Sequence, residues 1–361
     1  GDALYFFKRQ LAFSFVAVAV LLLVANVPFR WIERFGWLLW PLAALGVAAA
    51  RVPGLGVKAG GATRWLAVPG GGVFEPSELM KVSLALLLAT YFSRPTGQTG
   101  LTKVLGKSEW PIRALLFGVP LFLVLKQPDF GSFFICAAVF AGVLFAFGFN
   151  WRYFAGAFAV SIPAFYLLVM RVPYRRARIM SFLDPWSDPE QKGFQVIQSM
   201  LSFQSGGLLG AGIGQGQGKL FFLPEAHTDF TFAVLGEEMG FVGVIFVLSL
   251  YGYLVFRGLQ LAARVEHRFA KVLALGLSLM FALSVFINAS VVMGILPTKG
   301  LTLPFLSSGG SSLVMMGLLF GLLLNVERSN REGQFAVRAE RQMDRAERTG
   351  ASYNSRRQPF R

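Results

Sequence analysis

The chain has 361 residues, of which 55% are hydrophobic and only 15% charged, and its mean hydropathy is +0.57. A soluble domain carries about 25% charged residues, so a water-soluble enzyme of this length is excluded and lipid is the natural solvent. The net charge of +15 does not mark a nucleic-acid binder, because the 34 basic residues are spread over loops between apolar runs; they suit membrane orientation and contact with anionic lipid or pyrophosphate.

Apolar runs lie at about 11–27, 35–50, 76–92, 112–125, 130–149, 153–171, 232–256, 269–293 and 311–325. A helix needs about 20 residues to cross ~30 Å of hydrocarbon, and the shorter runs need polar ends or a locally thin bilayer. No long alternating strands occur, so helices are the spanning form. The expected fold is an all-α polytopic integral membrane protein with nine visible spans. Residues 1–325 form one membrane domain and 326–361 a basic tail, in which Asp344 and Arg348 have the spacing of a helical pair. The single cysteine, Cys136, sits in an apolar run, and no Cys/His cluster suggests zinc. No cleavable signal peptide is visible, and native residues are expected before Gly1.

The nine arginines after Asn325, together with Arg257, Arg264, Arg268, Arg94, Lys103 and Lys107, fall on one side. The positive-inside rule assigns that side to the cytoplasm. Four segments then gather on the outer face: 51–75, 126–129, 172–230 and 294–310. The polar motifs lie in these segments or just beneath them.

The first motif pair is Gly61-Ala62-Thr63-Arg64-Trp65 and Pro76-Ser77-Glu78-Leu79-Met80-Lys81. Pro76 and Ser77 suit a helix start. Glu78 and Lys81 share one helix face at the membrane boundary, as a neutralising pair or as the polar wall of a substrate cavity. Lys126-Gln127-Pro128-Asp129-Phe130-Gly131-Ser132 reads as a turn in which Asp129 caps the next helix; its place on the same face also admits a binding role. Arg171, Arg175, Arg176 and Arg178 then open the long loop, ahead of Phe182-Leu183-Asp184-Pro185-Trp186. Forked guanidinium groups there suit phosphate or lipid head groups.

Seven glycines lie between Gly206 and Gly218, but the Walker spacing fails at Ile213 and Leu220 follows Lys219. A gate or close backbone packing explains them better than a nucleotide. Leu223-Pro224-Glu225-Ala226-His227-Thr228-Asp229-Phe230 sets an imidazole and a carboxylate just before a hydrophobic helix. A carboxylate so placed either caps the helix or acts as a general base. Glu237 and Glu238, two turns deeper, need partners. Last come Pro297-Thr298-Lys299-Gly300-Leu301-Thr302-Leu303-Pro304-Phe305-Leu306 and Ser307-Ser308-Gly309-Gly310-Ser311-Ser312. Non-helical backbone at this depth is either a tight re-entrant turn or a cavity wall.

The runs FLDPW, LPEAHTDFTFAVLGEEMG and GILPTKGLTLPFLSSGGSS, with GATRW, EPSELMK and QPDFGS, resemble the signatures of the SEDS family (shape, elongation, division and sporulation). The likeness runs from about residue 5 to 325 and looks more like the division (FtsW) branch than the elongation (RodA) branch. Ser308 stands where that branch usually has tyrosine. The resemblance implies ten transmembrane helices, the first lying before Gly1.

The resemblance also implies a peptidoglycan glycosyltransferase in the bacterial cytoplasmic membrane, using lipid II on the outer face. It carries the family's essential aspartate onto Asp229, its fourth-helix Glu and Lys onto Glu78 and Lys81, and its motif Arg and Trp onto Arg64 and Trp65. Further candidate substrate contacts are Lys126, Asp129, Arg175, Arg176, Arg178, His227, Lys299, Ser307 and Ser308. Asp229 would deprotonate the acceptor hydroxyl. Arg64, Lys81 or the loop arginines would neutralise the leaving pyrophosphate, with or without a divalent cation such as magnesium or manganese. The implied partner is a class B penicillin-binding protein of the division or elongation machinery. A lipid-precursor flippase and a pure scaffold are the competing readings.

Overall fold

The computed structural model describes residues 5–59, 62–68, 72–93, 110–127, 129–171, 173–189, 193–216, 227–298 and 300–355. Its helices are α1 (Tyr5–Asn26), α2 (Phe29–Phe35), α3 (Leu39–Ala49), α4 (Pro76–Ser93), α5 (Trp110–Lys126), α6 (Phe130–Ala146) and α7 (Trp151–Phe165). They continue as α8 (Pro173–Leu183), α9 (Phe194–Gly206), α10 (Thr231–Arg264), α11 (Arg268–Val292) and α12 (Gly310–Ser355). The protein is a helical, multi-pass membrane protein. Among the described residues, α1, the stretch Phe29–Ala49, α10, α11 and Gly310–Gly333 are long and apolar enough to cross a bilayer.

Two expectations need correction. The 51–75 segment is a sheet rather than a plain loop. Its strands β1 (Gly56–Ala59), β2 (Ala62–Val68) and β3 (Gly72–Phe74) pair antiparallel in chain order, with Val57 opposite Trp65 and Leu66 opposite Phe74. Glycines punctuate this segment, and they suit tight hairpin connections. The 172–230 segment likewise contains α8 and α9. Val196, Ile197 and Ser199 of α9 are buried, and the Ser199 hydroxyl bonds the Val292 carbonyl of α11. An apolar stripe of this kind needs a neighbour to cover it.

The tail is helical, and more extensively than the Asp344/Arg348 spacing suggested: α12 runs unbroken from Gly310 to Ser355. The pairs Arg328–Glu332 at 2.8 Å and Arg331–Glu327 at 2.5 Å support its exit from the apolar region. Side chains beyond Gly333, those of Asp344 and Arg348 included, lie outside the described set.

At the centre stand α4 and α11. From Pro76 to Thr90, α4 is buried almost without interruption. Gly276 of α11 lets the helices close, since a Cβ there would lie 3.0 Å from Ala85. At the edge, α1 packs along α12. Gly317 and Gly321 face Ala17 and Leu21, four residues apart on one stripe. One turn further, buried Asn325 donates to the carbonyls of Val24 (2.8 Å), Ala25 (3.2 Å) and Val27 (2.6 Å), capping the end of α1. By contrast α7 exposes Trp151, Tyr153, Phe158 and Ile162, as a lipid-facing helix does.

Within the glycine-rich stretch, residues 207–212 pack their backbone against α10. Within α10 the helix breaks at Gly240, where φ is 63° and ψ is −166°. Such a break strands N–H and C=O groups. Residues 207–212 bond them: Ala211 N–H to Glu237 O (2.9 Å), Gly212 N–H to Glu238 O (3.1 Å), Phe241 N–H to Gly207 O (2.9 Å) and Val242 N–H to Leu208 O (3.1 Å). A Cβ at Gly240 would overlap the Gly210 amide. Gly240→Ala is therefore expected to cost about 3 kcal/mol or more. Gly252→Ala, in open space on the same helix, should change stability by less than about 1 kcal/mol. Thermal unfolding of both variants in detergent micelles checks the contrast.

Candidate functional site

At one end of the bundle the first, second, fourth and fifth motifs meet. The turn Thr228–Phe230 starts α10 and carries Asp229. A Cβ built on Gly300 would lie 3.3 Å from Asp229 Oδ2 and 4.0 Å from Arg64 Nη1. The carboxylate and the guanidinium thus flank the same bare stretch of backbone. Arg64 reaches it from β2, and its Nε–H donates to the Gln127 carbonyl at 3.1 Å. Gln127 is anchored in turn, its side-chain amide donating to Val47 O at 2.6 Å.

Around Gly300 the segment before α12 is stitched to its neighbours. Leu301 packs against Gly131, whose Cβ would come within 2.7 Å of it. The Ser308 hydroxyl and amide both donate to the His227 carbonyl, at 2.6 and 2.9 Å. Tyr251 donates its hydroxyl to Pro304 O. The Ser311 hydroxyl accepts from Glu75 N–H (3.1 Å) and donates to Val73 O (3.2 Å), tying β3 to α12. Phe305 sits at φ 66°, a strained conformation for a bulky residue, where the chain turns back towards α12.

Behind Arg64 lies a second cluster. Lys81 and Glu78 form a buried ion pair at 2.7 Å, the neutralisation expected of charges in a spanning helix. Asp129 caps α6 by accepting from Ser132 N–H at 3.1 Å, but its Oδ2 and Glu78 Oε2 are buried without a hydrogen-bond partner. Glu75, the residue before α4, completes the group. Burial, then the carboxylates of Asp129 and Glu78, push its pKa up to about 8 from an ordinary 4.5. Lys81 and the Ser77 hydroxyl, which donates to Glu75 Oε1 at 2.9 Å, oppose that rise. Three carboxylates therefore share one ammonium, and the Lys81 charge is spent inside the protein.

The sequence profile of the FtsW/RodA/SpoVE cell cycle proteins matches residues 1–332. The chain belongs to the FtsW/RodA/SpoVE family. A Geobacter metallireducens protein named "Probable peptidoglycan glycosyltransferase FtsW" is 39% identical over 325 residues, covering 90% of this chain and 85% of the relative. A Nitrosomonas europaea protein of the same name is 38% identical over 334 residues, covering 92% and 85%. Among solved structures, a chain from a peptidoglycan synthase complex that coordinates polymerization and crosslinking superposes with a TM-score of 0.75, at 32% identity and 91% coverage of both chains. The rod shape determining protein RodA of Thermus thermophilus gives 0.64 at 29% identity, covering 90% of this chain and 87% of that one.

In this FtsW/RodA/SpoVE chain the structure gathers Arg64, Glu78, Lys81, Asp129, His227, Asp229 and Ser308 at one end. His227 is exposed, and Asp229 is partly buried. Trp65 is partly buried within β2. Ser307 is occupied in its own turn, its hydroxyl accepting from Leu303 N–H at 2.8 Å. Lys126 stands apart, over the ring of Phe122 on its own helix at 5.3 Å. Arg176 is exposed on α8, while the side chains of Arg175 and Arg178 lie outside the described residues, as does all of Lys299. Among the described residues no three His, Cys, Asp or Glu side chains are placed to hold a metal ion. Glu75 was missed by sequence reasoning. Its signal was its place one helical turn before Glu78 and two before Lys81.

Glu75 makes stability pH-dependent. Between pH 4.5 and about 8 the folded state keeps a proton that the unfolded chain gives up. Stability therefore falls as pH rises through that window, by at most about 1.4 kcal/mol per pH unit for one proton, and levels off above it. Glu75→Gln should remove this component of the decline. Unfolding temperatures of both proteins from pH 5 to 9 check it.

Proposed function

We propose that this protein is a peptidoglycan glycosyltransferase that polymerises lipid II into β-1,4-linked glycan, with Asp229 as its general base. The observation that carries this reading is the placing of Asp229 Oδ2 and Arg64 Nη1 on either side of Gly300. A base and a cation beside one glycine match the needs of the reaction. Asp229 takes the proton of the acceptor sugar's 4-hydroxyl. The oxygen attacks C1 of the donor, the bond from C1 to the pyrophosphate breaks, and undecaprenyl pyrophosphate leaves with the electron pair. Configuration at C1 inverts from α to β.

Positive charge beside the leaving group lowers the barrier by stabilising what develops in the transition state. Arg64 is the group best placed for it. Lys81 is not, because Glu78 already neutralises it. The arginines of α8 are further candidates for holding the pyrophosphate. A magnesium or manganese ion would add charge there, carried with the substrate's own phosphates.

The names of the relatives support this activity, and their FtsW label favours cell division over elongation. The site end faces the outside of the cytoplasmic membrane, and α12 delivers the tail to the cytoplasm. Arg257, Arg264, Arg268 and the tail arginines at the opposite end support that orientation. A class B penicillin-binding protein is the partner that would crosslink the product. The complex to which the chain is structurally similar supports such a pairing.

Polymerisation of purified lipid II by the protein with its transpeptidase partner tests the reading. Asp229→Asn keeps size and polarity but removes the base, and a loss of about 10²–10⁴-fold is expected. Equal polymerisation by both proteins would remove Asp229 from the chemistry. Absence of polymer from the wild type would return weight to lipid translocation.

A further inference from the structure

Asn288 lies near the end of α11 and is 1% exposed. In sequence it is an unremarked polar residue within an apolar helix. In the structure its side-chain nitrogen donates to the carbonyl of Asp229 at 3.1 Å and to the carbonyl of Leu301. These acceptors belong to different segments, the turn that opens α10 and the chain that follows Gly300. Both adjoin Gly300, beside which Asp229 Oδ2 and Arg64 Nη1 lie. Asn288 Oδ1 has no hydrogen-bond partner. Exchanging its nitrogen and oxygen would set an acceptor against two carbonyls, so the orientation is dictated by the bonds themselves.

We propose that Asn288 is a positioning residue for the glycosyl transfer, clamping the backbone of Asp229 to that of Leu301 so that the carboxylate stands over Gly300. This rests on the reading of Asp229 as general base. Two strands of irregular backbone meet here inside a membrane protein, and only a buried donor with two N–H groups can bond both. A hydroxyl has one proton, and an ionised carboxylate has none. Proton abstraction tolerates little error, since a misplacement of ~1 Å costs about 10²-fold. The clamp acts on Asp229 through its backbone and makes no contact with the reacting atoms.

The experiment uses the full chain with its transpeptidase partner and purified lipid II. Asn288→Ala should lower kcat by about 10–100-fold, with KM changed less than about threefold. Asn288→Asp keeps the shape but adds a negative charge beside Asp229 on ionising. Its acid limb in kcat/KM should move up by about one pH unit. Among the described residues, the charged groups around Asp229 are Arg64 across Gly300 and His227 two residues before it, with Asp129 at the start of α6 beyond Leu301; all stay in place in both variants. Ser284→Ala is the control. That hydroxyl is buried on the same helix and bonds only Met280 O at 2.8 Å, so its loss should leave kcat and the pH profile unchanged.

A kcat within twofold of wild type for Asn288→Ala, or an unmoved acid limb for Asn288→Asp, overturns the clamp. Failure of both variants to fold in nanodiscs also overturns it, because the residue would then hold the fold and not the base. An active Asp229→Asn sinks the general-base reading itself. An inactive Asp229→Asn beside normal Asn288 variants sinks only the positioning.

Discussion

Hydrocarbon offers no water to an exposed N–H or C=O, so every interruption of a helix in this chain has to be satisfied by the protein itself. Among the described residues three interruptions are conspicuous, and each is closed by hydrogen bonds from segments packed against it. The break at Gly240 is bonded by residues 207–212. The end of α1 is capped by Asn325, about 300 residues later. The irregular stretch before α12 is held by Asn288, Tyr251 and the turn of Ser307. The functional end is built from the last of these, because broken backbone is where a membrane protein can present polar groups without extending a helix.

Charge obeys the same constraint with a different result. Glu78 and Lys81 neutralise one another, which is the least costly way to keep either in a spanning helix. Asp129 and Glu75 exceed what one lysine can balance, and the cluster responds by leaving two oxygens unbonded and retaining a proton on Glu75. A purely structural ion pair would not need the additional carboxylates. Their proximity to Gln127, whose carbonyl holds Arg64, links this cluster to the guanidinium that faces Asp229.

How much of this was legible follows from the range of each signal. Hydropathy is a local property, so the spans were readable, and α4, α6, α10, α11 and α12 begin within two residues of the expected positions. The motif residues Arg64, Glu78, Lys81 and Asp229 were readable because their types are costly at that depth and because the family resemblance picks them out. The sheet at 56–74 escaped notice because its strands are only three to seven residues long, too short to show an alternating pattern. Asn288 escaped for the opposite reason: it is one polar residue in a long apolar run, and its acceptors lie 59 and 13 residues away. Lys126 looked like a site residue because it adjoins the Gln-Pro-Asp motif, but at a helix end its side chain is free to lie back along α5 over Phe122.

Gly300 shows why the site needs an absence as much as a group. A Cβ there would stand 3.3 Å from Asp229 Oδ2 and 4.0 Å from Arg64 Nη1, crowding both groups. Glycine alone would leave this backbone loose. The bonds from Asn288 to Leu301 on one side and from Ser308 to His227 on the other remove that looseness. Rigidity at this small residue is therefore supplied by its neighbours, the helix that carries Asn288 and the turn that carries His227.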